Sequence, residues 1–86
     1  LYTLNFKKSV KKDLKKIGEK ESIRILTAIR EKLLPDPTIG KPLKGHDGEI
    51  WSFRIGNYRV LYNFDNMKLE ILVIRIGHRR EVYKDA

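Results

Sequence analysis

Eighty-six residues, 41% of them hydrophobic, suffice for one small folded domain and exclude a multidomain assembly. Nineteen Lys and Arg against eleven Asp and Glu leave a charge of +8, which favours a polyanionic partner, nucleic acid first. No cysteine means no disulfide framework, a usage that fits a reducing compartment. Leu1-Tyr-Thr-Leu-Asn-Phe6 is too short for the apolar region of a signal peptide, and no run approaches a membrane span. The expected location is the cytoplasm. Leu1 is not a start methionine, so a residue or two is expected before it.

In chain order, Tyr2-Thr-Leu-Asn-Phe6 alternates and reads as a strand with Tyr2, Leu4 and Phe6 on one face. Ser9 is the expected N-cap of a first helix, whose apolar stripe is Val10, Leu14 and Ile17 and whose stop is Gly18. Lys8, Lys11, Lys12 and Lys15 project from its other side. Such a face either tracks phosphates or is simply solvated. A second helix is expected over residues 20 to 34, with Ile25, Leu26, Ile29 and Leu33 in one arc, ended by Pro35-Asp-Pro37. The two make an antiparallel helical hairpin. Residues 35 to 48 read as one long irregular segment, in which His46 is a candidate of low specificity.

Residues 49 to 62 organise the chain. Two runs rich in aromatic and β-branched residues flank Gly56-Asn57, a two-residue hairpin turn. Counting outward, Ile55 faces Tyr58, Arg54 faces Arg59, Phe53 faces Val60 and Trp51 faces Tyr62. The period of two puts Trp51, Phe53, Ile55, Tyr58, Val60 and Tyr62 on the core face. Ser52, Arg54, Arg59 and Leu61 lie on the other, with two arginines directly opposed. Such a pair is repulsive by roughly 0.2–1 kcal/mol, unless an anion sits between the guanidinium groups or they splay apart into water.

After Phe64 a last strand, Leu69-Glu-Ile-Leu-Val-Ile-Arg-Ile76, lacks alternation, as expected of a strand covered on both faces. Its turn could hold two to four residues, so the facing of Arg75 stays open. Gly77 permits a sharp exit that would let His78, Arg79 and Tyr83 fold back near Arg54 and Arg59. Two histidines and no cysteine offer no metal-ligand spacing, and no cofactor motif is visible. Arginines, a histidine and a tyrosine at the end of one sheet suffice for RNA cleavage by the RNA's own 2′-hydroxyl. Arginines would stabilise the phosphate charge, and histidine or tyrosine would move protons.

Three segments resemble the RelE/ParE toxins of toxin–antitoxin pairs. They are Lys41-Pro-Leu-Lys-Gly45, Trp51-Ser-Phe-Arg-Ile-Gly-Asn-Tyr-Arg-Val-Leu-Tyr62 and Ile74-Arg-Ile-Gly-His-Arg-Arg-Glu-Val-Tyr83. The expected fold is then α+β, one domain over residues 1–86: an N-terminal strand, a helical hairpin and a three-strand antiparallel meander, with one small sheet packed on two helices. The RelE branch implies cleavage of mRNA in the ribosomal A site, leaving a 2′,3′-cyclic phosphate, and restraint by a RelB-like antitoxin. Arg59 resembles the family's phosphate-stabilising arginine, Arg54 one of two strand lysines, Arg79 the arginine of the last strand and Tyr83 the C-terminal tyrosine. His78 stands where well-known members have lysine. Ser52 replaces the other strand lysine, which leaves the proton acceptor to His78 or Tyr83. Lys41, Lys44, Ser52, Arg75 and Arg80 complete the expected RNA contacts. The alternatives are the ParE branch, which inhibits DNA gyrase without cutting RNA, and a degenerate protein that only binds antitoxin.

Overall fold

Strand pairing begins at the first residues of the chain and is completed by its last strand. The computed structural model describes residues 2–43, 45 and 49–78; Lys44, Arg79, Arg80 and Tyr83 of the expected site, and the loop candidate His46, lie outside them. Strand β1 (Thr3–Phe6) runs into helix α1 (Lys8–Ile17), helix α2 (Glu19–Ala28) and then strands β2 (Lys41–Pro42), β3 (Trp51–Ile55), β4 (Tyr58–Asp65) and β5 (Glu70–His78). The sheet order is β1-β5-β4-β3-β2, with β1 parallel to β5 and the rest antiparallel. The α+β architecture and its antiparallel meander are as expected. The fifth strand is an addition: residues 35 to 48 are not wholly irregular, because Pro37–Ile39 form a 3₁₀ turn and Lys41–Pro42 pair with β3. No helix among the described residues is long and apolar enough to cross a membrane.

One face of the sheet meets the helices. Ile55, Val60, Tyr62, Ile71, Val73 and Ile76 pack there against Val10, Ile25, Ile29 and Leu33, with Trp51, Phe53 and Tyr58 at the margin. The second helix does not stay α throughout. It passes into a π turn at Ile29–Leu33, where the Leu34 amide donates to the Ile29 carbonyl at 2.9 Å. Residues spaced by four drift by about 40° per step in an α-helix. The wider turn advances less per residue and returns Leu33 to the line of Ile25 and Ile29, so all three are buried. Gly18 alone separates the helices, at φ 100° and ψ 159°.

Ser9 is not the N-cap. Helix α1 starts two residues earlier, after Lys7, whose amide still donates to the Val73 carbonyl at 2.9 Å as a continuation of β1. The sheet ladder, not a capping side chain, fixes the start. Ser9 instead turns to β5, where its hydroxyl donates to the Ile74 carbonyl at 3.4 Å, and the Ile76 amide donates to Asp13 Oδ2 at 3.1 Å. Four helical residues rise about 6 Å and two strand residues about 6.6 Å. Ser9 and Asp13 therefore match Ile74 and Ile76, and α1 seals the β5 edge where β1 stops.

The hairpin register is the expected one at every pair from Ile55–Tyr58 to Trp51–Tyr62. Gly56 carries the positive φ of 58° at the first central position, the pattern of a type II′ turn. The β4–β5 turn holds four residues, with Asp65 and Glu70 paired across it. Its carboxylate accepts from the Met67 and Lys68 amides at 2.8 and 3.2 Å.

Candidate functional site

The facing of β5 is decided by a bulge. Leu61 pairs with Arg75 but Tyr62 pairs with Val73, so Ile74 is an extra residue without an opposite number. Strict alternation after Ile71 and Val73 would have buried Arg75 and turned His78 outward with the hairpin arginines. The bulge reverses both. Ile76 becomes core, Arg75 and Gly77 join the outer face, and His78 pairs with Tyr58 on the helix side. The missing alternation of β5 thus reflects a bulge, not two covered faces.

Directly paired residues share a side of a sheet. Lys41, Ser52, Leu61 and Arg75 are paired in succession across four strands and form one row. At strand spacing its ends are about 14 Å apart. Arg54, Arg59 and Gly77 form the next row. Four cations therefore surround a small centre on one face. Leu61, although on the face opposite the core, is buried (1% exposed), as is Ser52 (4%). Both arginines beside Leu61 lie close over the sheet, since the Nε atoms of Arg59 and Arg75 are closed off from solvent. The opposed arginines splay: Arg54 folds toward the turn and its Nε donates to the Gly56 carbonyl at 3.1 Å.

Behind the face, Tyr62 anchors the segment that supplies Lys41. Its ring is fully buried and its hydroxyl donates to the Pro37 carbonyl at 2.5 Å. Burial raises its pKa from 10.0 to about 12; the nearby Asp36 charge acts the same way, and a backbone hydrogen bond from Gly40 opposes both. The phenol stays a neutral donor. Asp36 accepts from the Thr38 amide and hydroxyl at 3.1 and 2.6 Å, which closes the turn. Gly40 packs so tightly that a Cβ there would collide with the Tyr62 hydroxyl and approach the Ser52 carbonyl to 2.7 Å.

Of the expected site residues, the fold brings Lys41, Ser52, Arg54, Arg59 and Arg75 to one face. His78 is not among them. Its ring stands 6.1 Å from that of Tyr58, edge to face, on the other side of the sheet. Sequence reading missed α1 as a wall of this face. Lys7, Ser9, Lys12 and Asp13 line a cavity of about 330 Å³ together with Ile50, Leu61, Ile74 and Arg75. The i, i+4 pair of Ser9 and Asp13 within the lysine run was the available signal. Among the described residues no group of three or more His, Asp or Glu side chains is placed to hold a metal ion.

Comparison with known proteins agrees with this architecture. Residues 4–83 match the family model described as the ParE toxin of type II toxin–antitoxin systems. Toxin RelG of Mycobacterium tuberculosis is 32% identical over 88 residues, spanning 96% of this chain and 97% of that protein. A chain of the RelBE2 toxin–antitoxin complex of the same organism superposes with a TM-score of 0.82 at 29% identity, covering 91% of this chain and 98% of that one. The isolated RelE toxin of E. coli gives 0.74 at 25% identity, over 99% and 94%. By a family match over nearly its whole length and a relative aligned almost end to end, the chain belongs to the RelE/ParE family of type II toxin–antitoxin toxins.

Proposed function

We propose that the chain is a ribosome-dependent endoribonuclease that cleaves mRNA in the A site within the cytoplasm. The observation that carries this reading is the convergence of Lys41, Arg54, Arg59 and Arg75 on one face of the sheet. The 2′-hydroxyl of the message attacks the adjacent phosphorus, the P–O5′ bond breaks, and a 2′,3′-cyclic phosphate and a 5′-hydroxyl remain. Arg59 and Arg54 close on the phosphate and stabilise the charge that grows on its oxygens. An anion between them would convert their repulsion into binding. Arg79 adds to this charge, while Lys44, Arg75 and Arg80 hold the flanking backbone. His78 sits beside Tyr58 on the opposite side, so proton transfer is assigned to Tyr83.

A RelB-like antitoxin is the proposed partner. The exposed side of the helical hairpin carries an apolar groove of about 600 Å³ lined by Phe6, Val10, Leu14 and Leu26 and rimmed by Lys7, Lys8 and Lys11. An acidic amphipathic helix fits that combination. Primer extension on a defined message, with and without ribosomes, tests the nuclease reading. Cuts within codons of translated message only are the expected result. The ParE description of the family match and Ser52 at a strand position where the nuclease branch has lysine favour a second reading, inhibition of gyrase. If the folded protein makes no cuts but blocks supercoiling by gyrase, that second reading replaces the first.

A further inference from the structure

The cavity between α1 and the outer face of the sheet belongs to neither the arginine pair nor the antitoxin groove. Its floor is apolar, made by Ile50 of the segment entering β3, Leu61 of β4 and the bulged Ile74 of β5. Its walls carry Lys7, Lys12 and Arg75 against one carboxylate, Asp13, so the lining is net positive by two (three minus one). One oxygen of Asp13 is engaged by the Ile76 amide.

A bare anion would satisfy the cations but leave the floor bare. A purely apolar group would leave the cations unused. A nucleotide uses both, with its base over the aliphatic floor and its phosphate at the lysines. The volume, about 330 Å³, is at the small end for ligand sites, which suits one nucleoside unit better than two. Position fits as well. Leu61 lies two residues along β4 from Arg59, about 7 Å away on the same face. A strand of RNA with its scissile phosphate at Arg59 would carry a neighbouring nucleotide to this cavity.

Building on the proposed nuclease reading, we propose that the cavity is a second nucleotide subsite. It holds the residue next to the scissile phosphate through the Ile50–Leu61–Ile74 floor and the Lys7 and Lys12 ammonium groups. Helix α1, which already seals the β5 edge through Ser9 and Asp13, then doubles as one bank of the RNA track. The bulge at Ile74 serves both functions, since it brings Arg75 to the face and supplies part of the floor.

The test uses the full chain and a six-nucleotide RNA with 2′-O-methyl groups throughout, which cannot be cleaved. Amide shifts are followed by ¹⁵N NMR, and affinity is followed by anisotropy over a salt series. The subsite predicts shifts at Ser9, Lys12, Leu61 and Ile74 together with those at Arg54 and Arg59. Lys12→Ala should lower the slope of log affinity against log salt by about 0.7, one single-strand phosphate contact, and remove the α1 shifts. Ile50→Ala should weaken binding at every salt concentration without changing that slope. Shifts confined to Arg54 and Arg59, with an unchanged slope in Lys12→Ala, would overturn the subsite and leave the nuclease reading standing. No shift anywhere would likewise overturn the subsite, while the nuclease reading, which requires the ribosome, is decided separately by primer extension on translated message.

Discussion

Two glycines hold the scaffold for opposite reasons. Gly18 sits at φ 100° and ψ 159°, a region almost closed to other residues, yet a Cβ there would meet nothing within 4 Å. Gly40 has ordinary extended backbone (φ −78°) but no space for a Cβ. Gly18→Ala should cost about 1–3 kcal/mol through backbone strain alone. Gly40→Ala should cost about the same through overpacking. Urea denaturation in the wild-type and Tyr62→Phe backgrounds separates the two. The Gly40→Ala cost should shrink when the Tyr62 hydroxyl is gone, and the Gly18→Ala cost should not. Tyr62 also carries a pH signature. Its pKa is raised on folding from 10.0 to about 12, so its contribution is complete below pH 10 and is lost as pH climbs toward 12, at about 1.4 kcal/mol per unit. Tyr62→Phe should be less stable by about 1–3 kcal/mol at pH 8, because the Pro37 carbonyl loses its donor. That deficit should narrow above pH 10 in denaturation curves. Arg59 lies off the core face, so Arg59→Ala should keep its circular dichroism while cleavage of translated message drops by about 10²–10³-fold. Cleavage within a few fold of wild type would remove Arg59 from charge stabilisation.

Elements differ in how much of themselves they write into the sequence. The β3–β4 register was readable because a two-residue turn leaves no freedom: once Gly56-Asn57 is the turn, the pairing of Arg54 with Arg59 follows. β5 was not readable. A bulge has no residue signature in an apolar run, and Ile74 looks like its neighbours, so the facing of Arg75 and His78 depended on a single unmarked insertion. β2 was hidden by its length, two residues of which one is proline, and it exists because Tyr62 and Gly40 hold the preceding turn against β3. The start of α1 was misread because capping propensity lost to the ladder running on from β1. The same junction makes a prediction. Asp13→Ala would leave the Ile76 amide without its carboxylate on a part-buried strand edge, at a cost of about 1–3 kcal/mol. Hydrogen exchange should speed up at Ile76 more than at Val60, whose strand is paired on both sides.

At the scale of the whole molecule, the +8 charge is spread over two surfaces with different assignments. The sheet face carries Lys41, Arg54, Arg59 and Arg75, while Lys8, Lys11 and Lys15 lie along the exposed side of α1 beside the apolar groove. Lys7 lines the cavities on both sides. If the sheet face handles RNA and the groove takes an acidic antitoxin helix, charge removed from one should be felt mainly in that one's function. Replacing Lys8, Lys11 and Lys15 together by Gln takes the charge from +8 to +5 (8 − 3 = 5). All three are exposed, so thermal stability should change by no more than about 1 kcal/mol. Association with a cognate antitoxin should slow, and its dependence on ionic strength should flatten, because rim charges act chiefly through steering. Cleavage of translated message by the triple variant should stay within a few fold of wild type. Stopped-flow association and primer extension on the same preparation decide the matter. A cleavage rate that falls as far as the association rate would mean that the lysines of α1 serve the ribosome or its message, and that the two surfaces are one.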